Sequence, residues 1–239
     1  MPKMRLDKLL SHLNCGSRKE VQSFIRAGRV AVNDTAERDP AAKVDPDADR
    51  VSLDGREQTY RAQRYYMLNK PAGLVCANED KRDGTVLSLF PKEYRDKGLS
   101  TVGRLDKDTV GLLLVTNDGA LSHALMSPSR HVSKVYEAEL DGVLVPDAAE
   151  RFGAGLTLRD GTVCRPALLE LLPDGRVRVT LHEGKYHQVK RMIAACGATV
   201  TFLKRVQLGG VRLDESLAPG EFRELTEEEL GALRPPDGL

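Results

Sequence analysis

The chain has 239 residues, 41% of them hydrophobic, with 36 Lys and Arg against 35 Asp and Glu. That is enough to bury a sizeable core, as one large domain or a large one with a small companion. No apolar run approaches the roughly 20 residues that span a bilayer, and the opening MPKMRLDKLL lacks the apolar stretch of a secretory signal, so a cytosolic protein without a membrane partner is expected. Cys15, Cys76, Cys164 and Cys196 form no C-x-x-C pair and the histidines no H-E-x-x-H, so the thiols read as reduced packing residues and no metal is expected. The formal net charge of +1 conceals segregation: residues 1–33 carry seven Lys or Arg against two acids, and 34–60 carry eight acids against four bases. A basic module followed by a second domain fits that pattern.

Leu6, Leu9, Leu10 and Leu13 recur at i, i+3, i+4 and i+7, a single apolar stripe that predicts a short helix over 5–13, with Arg5 and Lys8 off the stripe. Ser17-Arg-Lys-Glu20 is a capping-box pattern that starts a second helix, with Val21, Phe24 and Ile25 as its apolar face and Gly28 as its left-handed stop. Residues 29–33 then read as a strand entering an Asn-Asp turn, and the polar, aperiodic stretch 54–64 as a linker. Beyond it, strands are predicted at 65–68, 111–116, 134–140 and 176–181 and helices at 120–126 and 188–196, with turns at Asn117-Asp-Gly119 and Pro173-Asp-Gly175. Strands in runs, without a βαβ rhythm, argue for an α+β fold on a largely antiparallel sheet with flanking helices. Residues 214–229, with seven acids against one base, read as solvated surface.

The segment RLDKLLSHLNCGSRKEVQSFIRAGRVAVN resembles the S4-type RNA-binding domain, a small α/β module, over about residues 1–60, which leaves 61–239 as a second domain. By charge alone the basic cluster reads as a solvated face. The resemblance implies instead a helical surface docked on structured RNA, with Arg5, Lys8, Arg18, Lys19, Arg26 and Arg29 on phosphates.

The stretch from Ser100 to Gly119 puts a charged loop, 104–108, directly before an apolar strand, the kind of place where a rigid scaffold presents reactive groups. By pattern alone Asp106 reads first as a turn or hydrogen-bonding residue, and the reaction stays unnamed. However, GRLDKDTVGLLLVTNDG resembles the signature loop of the RsuA branch of pseudouridine synthases, and the resemblance makes Asp106 the catalytic carboxylate. Three further segments resemble the same family in the same order. Asn69-Lys-Pro-Ala-Gly73 matches its K-P-x-G turn, where Pro71 and Gly73 would shape the backbone. Lys134-Val-Tyr136 matches its K-x-Y element, whose Tyr136 would stack on the target uracil and relay a proton; read alone, Tyr136 is a core strand residue.

The last segment, Glu183-Gly-Lys-Tyr-His-Gln-Val-Lys-Arg-Met192, runs on to Thr201-Phe-Leu-Lys-Arg205. The family pairs its catalytic Asp with a basic residue that here is Lys190, a cation expected at about 4 Å that keeps the carboxylate ionised. Arg191 is expected on a phosphate, Leu203 against the nucleotide, and Arg104 in the space a flipped base leaves. Tyr186 and His187 bring the segment closer to the small-subunit members of the branch, which implies uridine 516 of 16S rRNA as target.

The implied reaction breaks the N-glycosidic bond of uridine, turns the uracil and joins its carbon 5 to the ribose. It needs no redox step, and no G-x-x-x-x-G-K-[ST] or G-x-G-x-x-G occurs, so no cofactor is expected. The partner is ribosomal RNA, free or within a small-subunit assembly intermediate, and the protein is expected to be a monomer. Alternatives are a synthase acting on 23S rRNA and a non-catalytic RNA-binding assembly protein, against which Asp106, Tyr136 and Lys190 argue; a methyltransferase would need a cofactor-binding glycine loop that is not evident.

Overall fold

The computed structural model describes residues 3–13, 15–58, 63–95 and 98–233, which fall into two units, Met1–Ala62 and Gln63–Leu239. Among the described residues no helix is long and apolar enough to cross a membrane.

In the first unit the elements are β1 (Met4–Arg5), α1 (Leu6–His12), α2 (Arg18–Arg26), β2 (Val30–Val32), β3 (Thr35–Glu37), β4 (Lys43–Val44), β5 (Val51–Leu53) and β6 (Arg56–Glu57). The leucine stripe of α1 does what its spacing predicts: Leu6, Leu9 and Leu10 are buried against Val21, Ile25, Val30, Val44 and Val51. The capping box forms, with the Glu20 N–H donating to Ser17 Oγ at 3.4 Å and the Ser17 N–H to Glu20 Oε2 at 2.8 Å. Asn33 and Asp34 are both left-handed, at φ +50° and +66°, and close the β2–β3 hairpin. The linker expected at 54–64 begins too early. Asp54 and Gly55 make the same kind of turn, at φ +51° and +76°, and Arg56–Glu57 returns as a strand on β5. An Asp-Gly pair is a hairpin signal, and it outweighs the polarity of its flanks; residues 59–62 of that stretch lie outside the described residues.

The second unit runs β7 (Tyr65–Lys70), α3 (Lys92–Arg95), β8 (Ser100–Thr101), β9 (Val110–Thr116), α4 (Gly119–Met126), β10 (Lys134–Asp141), α5 (Ala148–Ala154), β11 (Leu168–Leu171), β12 (Val177–Leu181), α6 (Gln188–Ala195), β13 (Thr199–Leu208), β14 (Val211–Arg212), β15 (Phe222–Glu224) and α7 (Glu227–Leu233). Nine strands form one sheet in the order β11-β12-β10-β13-β9-β7-β15, with β14 beside β13 and β8 beside β9. Every pairing in it is antiparallel except β13 with β9, so the sheet is mixed and the fold α+β. Alternation along β7 and β9 builds two cores: Tyr66, Leu68, Leu113 and Val115 face one layer with α5 and α6, and Met67, Leu112 and Leu114 face another with α4 and α7.

The parallel seam is short, Lys204 opposite Val110 and Arg205 opposite Gly111. Gly111 sits at φ +96°, and a Cβ there would overlap the Arg205 carbonyl oxygen, so only glycine lets β9 approach β13. The stretch 214–229 is mostly exposed, as its charge suggests, but it is not only solvated surface: β15 pairs with β7, Leu225 is buried, and Arg223 bonds Asp214 and Glu229 at 2.6 and 2.8 Å. The acids are partly spent on that arginine.

Candidate active site

The loop that carries Asp106 leaves the sheet after β8 and re-enters it at β9. Leu105 plugs it into the core at 6% exposure, its N–H meeting Cys76 Sγ at 3.3 Å. The Thr109 N–H donates to the Asp106 carbonyl at 3.1 Å and closes the turn. Beneath it lies Lys70, fully buried at the end of β7, whose Nζ donates to the carbonyls of Pro71, Lys107 and Thr109 at 3.0, 3.2 and 2.9 Å. Burial pushes the Lys70 ammonium below the usual lysine value, while the carboxylates of Asp108 and Asp106 act the other way. The Gly73 N–H adds a bond to the Lys107 carbonyl at 2.8 Å, so the turn read from N-K-P-A-G clasps the loop by its backbone.

A pocket of about 80 Å³ opens at this loop, lined by Arg104 and Asp106, by Tyr136 on β10 and Leu203 on β13, and by His187 at the start of α6. Tyr136 is 9% exposed and Leu203 4%, both on the α6 side of the sheet. Lys190, one turn into α6, places Nζ 3.7 Å from Asp106 Oδ2, and His187 Nε2 is 3.6 Å from Oδ1. The segment before α6 is locked by Gln188, which accepts from the Lys185 N–H at 2.9 Å and donates to Glu183 Oε1 at 2.6 Å.

Four of the residues singled out from sequence, Arg104, Asp106, Tyr136 and Leu203, thus line one pocket, with Lys190 beside it. Lys190 has a second and nearer partner that sequence reasoning missed: Asp108 Oδ1, at 2.5 Å. That hydrogen bond holds the Asp108 carboxyl below the usual aspartate value. The D-x-D spacing of Asp106 and Asp108 was the available signal, since two acids two apart in one loop can share a cation. His187 and the buried Lys70 were also passed over as chemistry-bearing. Arg191 points elsewhere, paired with Asp160 at 2.5 Å and donating to the Tyr186 carbonyl at 3.3 Å. In the first unit Lys8, Arg18, Lys19 and Arg26 are exposed. Arg5 and Arg29 are engaged within the unit: Arg5 reaches Asp7 with two bonds of 3.0 and 2.8 Å, and Arg29 pairs with Asp54 at 2.6 Å and lies 4.3 Å above the Phe24 ring.

A mixed sheet that brings a G-R-L-D loop, a strand tyrosine and a helix lysine to one pocket defines a class, and comparison with known proteins agrees. The family model described as RNA pseudouridylate synthase matches residues 64–195, and the S4 domain model matches residues 4–49. The chain belongs to the RNA pseudouridine synthases: it is an isomerase of the RsuA type with an N-terminal S4 domain. It is 43% identical to the ribosomal small subunit pseudouridine synthase A of Escherichia coli (strain K12), over 96% of this chain and 100% of that protein. It is 44% identical to the RNA pseudouridine synthase YtzG of Bacillus subtilis (strain 168), over 98% of this chain and 99% of that one. A solved structure described as a pseudouridylate synthase superposes with a TM-score of 0.68 at 37% identity, covering 96% of this chain and 99% of its own.

Proposed function

We propose that this enzyme converts one uridine of 16S ribosomal RNA, uridine 516, to pseudouridine, as a monomer in the cytosol, with Asp106 as the catalytic carboxylate. The observation that carries the chemistry is a part-exposed carboxylate at a pocket walled by Tyr136 and Leu203, with Lys190 at 3.7 Å. The choice of RNA rests on near full-length likeness to proteins named ribosomal small subunit pseudouridine synthase A.

The reaction moves no electrons between molecules. The bond from N1 to the anomeric carbon breaks, the uracil turns in place, carbon 5 bonds to the same ribose carbon, and the proton on carbon 5 departs as one returns to nitrogen. Base and sugar are inaccessible in folded RNA, so the uridine is turned out into the pocket. There Tyr136 stacks on the uracil and Leu203 packs against the nucleotide, while Arg104 occupies the vacated place. Asp106 attacks the sugar or the base, or assists departure of the base to a glycal, and each route uses its anionic oxygen. Lys190, at 3.7 Å, aims that oxygen and offsets charge at it. The Tyr136 hydroxyl relays the proton leaving carbon 5. Lys8, Arg18, Lys19 and Arg26 of the S4 domain hold phosphates and set the register of the RNA; Arg29 and Arg191 join them by exchanging an acid partner for a phosphate, and Arg5 by the exposed side of its guanidinium while it keeps Asp7.

Asp106→Asn tests this directly, because Asn keeps the shape and local hydrogen bonds but not the charge. The variant should be folded by circular dichroism, bind 16S rRNA by filter retention about as well as wild type, and form no pseudouridine. Substantial product from the folded variant would refute the role of Asp106. Pseudouridine mapping in cells lacking the gene should show loss at position 516; loss in 23S rRNA instead would refute the target.

A further inference from the structure

The rim of the pocket carries an aromatic surface that the proposed chemistry leaves unused. Tyr186 is 73% exposed, yet its ring is not loose: it lies parallel to the His187 imidazole, with centroids 3.8 Å apart and an interplanar angle of 18°. His187 in turn lines the pocket, with Nε2 3.6 Å from Asp106 Oδ1. The stack therefore runs outward from the carboxylate as imidazole, then phenol, then solvent.

The turn that presents the pair is fastened. His187 takes a left-handed conformation, φ +48°, which a non-glycine residue adopts only when its surroundings impose it. The imposing contacts are the Gln188 bonds to Lys185 and Glu183, and the Tyr186 carbonyl held by Arg191, itself paired with Asp160. A planar ring held rigidly with one face open costs little further ordering when something flat settles on it. Positive side chains, Arg104 and Lys185, lie around the same pocket, so an anionic backbone is favoured alongside.

We propose that the open face of Tyr186 is a stacking subsite for an unpaired nucleobase directly next to the target uridine in the RNA strand. Turning a uridine out of its stack bares one face on each of its two neighbours; Arg104 in the vacated place covers one, and for the other a ring one imidazole thickness from the carboxylate supplies a replacement. Stacking of this kind accepts any base, because every base has a π face. The inference rests on the reading of the Asp106 pocket as the place where a flipped uridine is held.

The test uses the full-length protein and an rRNA fragment that wild type converts, assembled so that each nucleotide flanking the modified uridine is in turn abasic. If the fragment around uridine 516 is not converted, the target assignment falls, and the same comparison is run on the rRNA that is. On intact RNA, Tyr186→Ala raises KM by roughly tenfold to a hundredfold with little change in kcat, and Tyr186→Phe, which keeps the ring, loses much less. On RNA abasic at the stacking neighbour, wild type and Tyr186→Ala have the same KM. The proposal is overturned if Tyr186→Ala leaves KM unchanged, if its penalty persists undiminished at every abasic position, or if kcat falls at constant KM, which would make Tyr186 only a support for His187.

Discussion

Asp7 offers a quantitative test of what holds the RNA-docking helices together. Its side chain is fully buried in the first turn of α1 and receives Arg5 Nε and Nη2 at 3.0 and 2.8 Å and Gln22 Nε2 of α2 at 2.9 Å. The Arg5 guanidinium holds its carboxyl at about 2, against an ordinary 3.8. At about 1.4 kcal/mol per tenfold change in proton affinity, that drop corresponds to about 2.5 kcal/mol of stability at pH 7. Because the folded value lies below the unfolded one, the contribution is complete above about pH 5 and is lost as pH falls towards 2. Asp7→Asn removes the charge at nearly constant shape. Hydrogen exchange in peptides covering α1 and α2, compared at matched intrinsic rates, should be faster in the variant at pH 7 by on the order of fiftyfold. The gap, in free energy, should shrink by about half at pH 3. No difference at pH 7, or a gap that stays constant down to pH 3, would refute the assignment of this stability to the Asp7 charge.

The shared cation predicts an order of activities. Lys190→Met removes both ion pairs and should slow turnover on the order of a hundredfold, Lys190→Arg should keep part of the rate because charge survives while geometry changes, and Asp108→Asn, which spares the Asp106 pair, should cost less than Lys190→Met; equal rates for Asp108→Asn and Lys190→Met in single-turnover assays would contradict that order. Lys70→Met strands the carbonyls of Pro71, Lys107 and Thr109 and should destabilise the second unit by on the order of 3 kcal/mol. Urea unfolding followed by near-ultraviolet circular dichroism measures it, and a loss under about 0.5 kcal/mol would show that the buried ammonium does not clasp the loop.

What was legible in the sequence was whatever is encoded within a few neighbouring residues. The capping box at Ser17 and Glu20, the left-handed Gly28 and the unbroken apolar run at 111–116 report their own conformation, and the structure has them. The G-R-L-D and K-x-Y elements were legible through the family resemblance, and the structure brings residues of both to one pocket. Long-range pairings left a fainter trace. β13, ten residues long, escaped the sequence reading because its largely exposed start, Thr199–Phe202, is broken by a register shift at Thr201 and hides the alternation that follows. Charge counting described most of the stretch 214–229 but hid the strand Phe222–Glu224 and the buried Leu225 within it. The Asp108 partner of Lys190 and the triple clasp of Lys70 depend on where three distant segments meet, which no local pattern records.

That acidic tail also bears on how the protein behaves among its own copies. β15 covers β7 with three residues, Phe222 opposite Leu68, Arg223 opposite Met67 and Glu224 opposite Tyr66. A sheet border this short and charged gives an incoming strand little to add to, whereas the strand it covers is almost wholly buried, Tyr66 through Lys70. A chain cut before Phe222 would keep the Asp106 loop and the Lys190 helix in its sequence. It would also bare the backbone of β7 as a ready template for edge-to-edge association, so self-aggregation would be the first consequence of losing a segment that touches no RNA in the proposed reaction.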